Sequence, residues 1–182
     1  MRNTEKKLHS KGTFRSAKES AYVAVFVALL IAVQLALSVL PGIELVTVLF
    51  ISFAFVFGMG RGMFAATTFS IVRQLVFGFY PQVLILYLVY YNALCLLFGW
   101  LGKRFASPKG KLLILVLLAC VCTVCFTLMD CAITSLWFAY TKRAAMIYFK
   151  ASLAFMLPQV VCTAFTVSVL LLPLYGVFRR LK

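Results

Sequence analysis

Acidic side chains are nearly missing from this sequence. Four aspartates and glutamates stand among 182 residues, charged residues of both signs make up 12%, and the single histidine is His9. A soluble domain carries about 25% charged and about 45–50% apolar residues, whereas 64% of this chain is hydrophobic, which excludes a soluble domain. With one histidine there is no H-E-x-x-H zinc pair and no acid–histidine pair in any apolar run, and G-x-S-x-G is absent too. Intramembrane hydrolysis therefore has no visible machinery. No G-x-x-x-x-G-K-[ST] phosphate loop occurs, and Gly99-Trp-Leu-Gly102-Lys103 is too short to serve as one. The chain is read as a non-enzyme that cannot hydrolyse ATP by itself.

Six cysteines are present, Cys95, Cys120, Cys122, Cys125, Cys131 and Cys162, all inside apolar runs. There a free cysteine behaves as a small hydrophobe. Cys122 and Cys125 have metal-like spacing but no further ligands beside them, so neither a metal nor a cofactor is expected.

What is abundant is apolar length and positive charge. An apolar helix needs ~20 residues to cross the hydrocarbon core. Six stretches can be marked, at about 20–40, 43–59, 62–79, 83–102, 111–139 and 150–178. Breaks fall at Pro41-Gly42, Gly58-Met-Gly-Arg-Gly62, Tyr80-Pro81-Gln82, the Lys103–Lys111 segment and Tyr140-Thr-Lys-Arg143. The expected fold is an all-α integral membrane protein: a basic tail over residues 1–19, then one six-helix transmembrane domain over 20–182.

The net charge is +14. In a six-span arrangement fourteen Lys and Arg fall on the side of the termini and three, Lys142, Arg143 and Lys150, on the other. That asymmetry predicts cytoplasmic termini and contacts with anionic headgroups of the lipid bilayer. Nucleic acid is not expected, because no basic residues interleave with stacking aromatics outside the apolar runs.

Ionisable residues at membrane depth are costly and mark sites. Arg73 lies ~18 Å along its helix from Arg61, and Asp130 ~28 Å from Lys111. Glu44 follows the Pro41-Gly42 turn. With Gln34, Asn92 and Gln159, the last beside the helix-interrupting Pro158, they fall in or near the half of the bilayer remote from the termini. Tyr87, Tyr91 and Trp137 share that half. Apolar walls, aromatic faces and a few convergent polar groups describe a small-molecule pocket. The competing reading is that Arg73 pairs with Glu44 or Asp130 only to neutralise charge. Thr127 and Thr134 would then satisfy Asp130 locally, and the aromatics would form an interfacial belt.

Ala24, Ala28, Ala32 and Ala36 recur every fourth residue on the first helix, and Ala21 extends the stripe. Small residues at this spacing let another helix approach closely in lipid, whether from this chain or from a partner.

Taken together, the basic tail, the Ala21-Tyr-Val-Ala24-Val-Phe-Val-Ala28 helix, Pro41-Gly-Ile-Glu-Leu-Val-Thr47 and Phe57-Gly-Met-Gly-Arg-Gly62 resemble an S component of an energy-coupling factor vitamin transporter. The resemblance spans essentially the whole chain. It implies binding of a vitamin or related micronutrient in the outer half of the plasma membrane. It also implies docking through the first helix on a transmembrane T subunit that carries two ATPases. Ala21, Ala24, Ala28 and Ala32 match the docking motif; Gln34, Glu44, Arg73, Tyr87, Tyr91, Asn92, Asp130, Trp137 and Gln159 match the pocket. Two alternatives stay open: a membrane-embedded enzyme acting on a lipid or isoprenoid, and an interaction or assembly protein that transports nothing.

Overall fold

The structure, a computed structural model, describes residues 17–39, 43, 45–105 and 107–181. Among them there are six α-helices and no strand: α1 (Ala17–Leu37), α2 (Val46–Phe57), α3 (Met59–Phe77), α4 (Pro81–Arg104), α5 (Leu112–Trp137) and α6 (Lys142–Leu181). A short 3-10 turn, Lys109–Lys111, precedes α5. Most of the basic tail, the Pro41-Gly42 turn and Glu44 lie outside the described residues.

Four helices, α1, α4, α5 and α6, are long and apolar enough to cross a membrane. The other two depart from that pattern for identifiable reasons. Helix α2 has 12 residues, ~18 Å at the usual rise, well short of a ~30 Å hydrocarbon core. Eleven of its residues, Val46 through Val56, are buried. A helix that is apolar on every face belongs inside a bundle, and α2 packs against α1, α3, α4 and α6. Helix α3 has 19 residues but carries Arg61, Arg73 and Gln74, which lower its hydropathy. Its inward face includes Ala65, Ala66, Phe69, Ser70 and Gln74.

The turn between α2 and α3 is a single residue. Gly58 holds φ +88°, a conformation that costs glycine nothing and other residues strain, and Met59 is already helical. The rest of the expected glycine turn serves packing instead. A Cβ on Gly62 would sit 3.1 Å from both Ala54 Cβ and Cys95 Cβ. On α4, a Cβ at Gly99 would lie 2.5 Å from the Met59 nitrogen, and one at Gly102 would collide with the Phe55 carbonyl. Helices α2, α3 and α4 thus close together at the Gly58 end of the bundle through backbone contact, the means by which helices associate where lipid supplies no hydrophobic drive.

Aromatic side chains fill the middle. Phe26 stacks on Phe53 with ring centroids 4.0 Å apart, and Phe50 meets Tyr91 at 4.7 Å. Buried hydroxyls bond back to their own helices: Ser52 Oγ donates to the Val48 carbonyl at 2.7 Å and Ser70 Oγ to Ala66 at 2.8 Å. Such local bonds satisfy polar groups where no water is available.

Helix α6 is 40 residues long and runs unbroken through Pro158 and Pro173. Pro158 therefore does not interrupt the helix, contrary to the sequence expectation. The helix also begins at Lys142, eight residues before the apolar stretch at 150, because its charged first turns are helical without being apolar.

Candidate functional site

At the end of the bundle opposite Gly58, α2 stops short of its neighbours and leaves a cleft. Its lining includes Gln34, Ser38, Leu45, Val46, Arg73, Phe77, Tyr87, Phe126, Phe155 and Gln159, around a volume of about 370 Å³. Val46 opens α2, so the positive end of that helix's dipole forms part of the floor.

Arg73, on α3, enters from one wall. Its guanidinium carbon lies 4.5 Å from the centroid of Tyr87 and 4.9 Å from that of Phe77. Rings at this range attract the cation through their negative faces. Its Nε is buried with no hydrogen-bond partner, as is Gln34 Oε1. The amide of Gln34 donates from Nε2 to the Tyr87 hydroxyl at 3.2 Å. Among the described residues, no carboxylate pairs with Arg73.

A second cleft of about 320 Å³ adjoins the first and shares Phe126, Phe155 and Gln159 with it. Asp130 lines it with Thr127, Tyr148, Ala151 and Ser152. The Tyr148 hydroxyl donates to Asp130 Oδ2 at 2.7 Å and Thr134 Oγ1 to Oδ1 at 3.4 Å. Thr127 is engaged elsewhere, donating to the Thr123 carbonyl at 3.3 Å. Local satisfaction of Asp130 by threonine thus extends to one of the two residues expected to provide it.

Of the nine residues singled out for the pocket, the first cleft gathers Gln34, Arg73, Tyr87 and Gln159, and the second gathers Asp130 and Gln159 again. Asn92 lies in neither. Its Nδ2 donates to Thr67 Oγ1 at 3.2 Å and to the Leu88 carbonyl at 2.7 Å, which ties α4 to α3. Tyr91 is fully buried among Phe50, Phe69 and Tyr87 and acts as core beneath the cleft. Trp137 is half exposed at the end of α5 and lines neither cleft. Glu44 lies outside the described residues.

Phe77, Phe126, Phe155 and Tyr148 are lining residues that sequence reading did not single out. The alanine stripe is exposed: Ala21, Ala24, Ala28, Ala32 and Ala36 face outward, while Val23, Phe26, Val27 and Leu30 face the core. That division follows the 3.6-residue period of a helix that packs one side against the bundle.

At the Gly58 end a third hollow of about 390 Å³ is lined by Phe55, Gly102, Lys103, Tyr175 and Arg179, among others. The six cysteines are free, and no group of three metal-ligating side chains occurs among the described residues. Comparison with known proteins yields no counterpart: no family model, no curated protein and no solved structure matches the chain.

Proposed function

We propose that this chain is the substrate-binding S component of an energy-coupling factor importer. It sits in the plasma membrane with the chain crossing six times, α2 forming only part of its crossing, and with cytoplasmic termini, and it captures a vitamin or related micronutrient from outside. A T subunit and two ATPases supply docking and energy.

The observation that carries the reading is the position of the cleft that holds Arg73, Gln34 and Tyr87. It opens at the end of the bundle opposite Lys103, Lys109, Lys111 and Arg179. If the basic end faces the cytoplasm, the cleft faces outward, as a capture site must. Its volume and its mixture of apolar walls with a few polar groups suit a small molecule.

The outward-facing alanines support a docking role for α1. They form a low strip that this chain leaves uncovered, and a partner helix could approach it closely.

Co-purification with transport tests the reading. Tagged protein from its native membrane should bring down a membrane subunit and two nucleotide-binding ATPases, and ATP should drive uptake in vesicles that contain all four. Isolation without ATPases, or turnover of a lipid by the chain alone, would overturn it.

A further inference from the structure

Arg73 and Asp130 carry opposite charges in adjoining clefts, yet they form no ion pair, and among the described residues neither has a charged partner. Arg73 rests on the faces of Tyr87 and Phe77, with Nε buried and unbonded. Among the described residues Asp130 accepts only from the neutral hydroxyls of Tyr148 and Thr134. Ionisable groups embedded among apolar helices ordinarily relieve their cost by pairing, and among the described residues these two do not. Between them stand Phe126, Phe155 and Gln159, the walls common to both clefts.

We infer that the two adjoining clefts together take one dipolar molecule, with an anionic group held at Arg73, an aromatic or other apolar body between Phe126 and Phe155, and a cationic group held at Asp130. The inference rests on reading the cleft as a ligand site and adds the charge class of the ligand. The positive end of α2 beneath Leu45 and Val46 favours the same orientation, because a helix N-terminus attracts anions. A singly charged ligand would desolvate the opposite charge without compensating it, a cost that falls on binding. The two charges lie in separate clefts, so the ligand carries its own charges apart, unlike an α-amino acid, whose ammonium and carboxylate share one carbon.

The test uses the full chain in lipid nanodiscs and calorimetric titration with aryl probes of graded length. Each probe bears an aminomethyl group on one side of a benzene ring and a carboxylate chain on the other. Two companion series replace the aminomethyl group by methyl or the carboxylate by its methyl ester, and phenylalanine serves as the probe with adjacent charges. At the best length the zwitterion should bind more tightly than either companion and than phenylalanine by on the order of tenfold or more.

Asp130→Asn should abolish the preference over the anionic companion, which binds at least as tightly as before, and Arg73→Gln should abolish the preference over the cationic companion, which binds at least as tightly as before. Tyr148→Phe, which leaves the carboxylate in place, should keep the preference. Should a charge variant fail to fold, the comparison among probes on the unaltered chain still decides. Equal affinity of zwitterion and companions at every length, tightest binding by phenylalanine, or no binding by any probe at millimolar concentration would each overturn the inference.

Transport separates this outcome from the importer reading. Zwitterion binding by a chain that recruits no ATPases sustains the charge assignment and defeats the importer. ATP-driven import of a neutral compound through this cleft does the reverse.

Discussion

The guanidinium of Arg73 lies over the ring of Tyr87, 4.5 Å from its centroid, and the hydroxyl of the same tyrosine accepts a hydrogen bond from Gln34. One side chain on α4 thereby positions a cation from α3 and an amide from α1. Delocalised, planar arginine suits such stacking in a way that compact, strongly hydrated lysine does not. Arg73→Ala should weaken binding of an aromatic carboxylate by roughly tenfold or more, taking the ~1.5–3 kcal/mol of a charge-assisted hydrogen bond. Membrane insertion should be unaffected. Arg73→Lys should recover only part of the loss. Titration of nanodisc-held protein measures both, and unchanged affinity in Arg73→Ala would remove the residue from the site.

Tyr87→Phe keeps the ring under Arg73 but removes the acceptor for Gln34. The expected destabilisation is about 0.5–1.5 kcal/mol, read as a lower thermal midpoint in detergent. A midpoint at or above that of the parent would show that the 3.2 Å contact contributes nothing.

The glycines of α4 separate packing from backbone freedom. Gly99→Ala and Gly102→Ala force a methyl group against the backbone of Met59 and Phe55, and overpacking of this kind costs about 1–3 kcal/mol. Gly176→Ala, in α6, meets nothing within 4 Å and should stabilise by about 0.5–1 kcal/mol through helix propensity. Thermal melts of the three variants should move in opposite directions; a common direction would show that the tight crossing at Gly58 is misjudged.

Ala28→Phe places bulk on the outward face of α1, away from Val27 and Leu30. The variant should fold and bind ligand as the parent does while losing the co-purified membrane subunit. Retention of the complex would place docking on another surface.

Much of the helical layout was legible. Apolar runs and their breaks placed six helices, because burial in lipid or in a bundle demands long uncharged stretches and turns demand glycine, proline or charge. The start of α6 was not legible, since Lys142 and Arg143 are helical outside the apolar run, and Tyr148 was missed with it.

Within the site, depth could be read from rise per residue but direction around the helix could not. Tyr87 and Tyr91 are one turn apart on α4 and equally aromatic, yet the first lines the cleft and the second fills the core. Asn92, one residue further, points to Thr67 instead. Phe126 and Phe155 carry no mark that distinguishes them from the other phenylalanines of an 18-phenylalanine chain. Only the packing of α5 against α6 brings them to the cleft.

The brevity of α2 has an architectural result. Val46 shares the cleft with Tyr87, which sits six residues inside the start of α4, so the central post ends ~9 Å below its taller neighbour. The chamber exists because that post is truncated, and its capacity is governed by where one helix begins more than by the size of the groups around it. Sequence drift in the segment ahead of Val46 could therefore resize the chamber without disturbing the surrounding palisade, a route by which one scaffold could come to carry different cargoes.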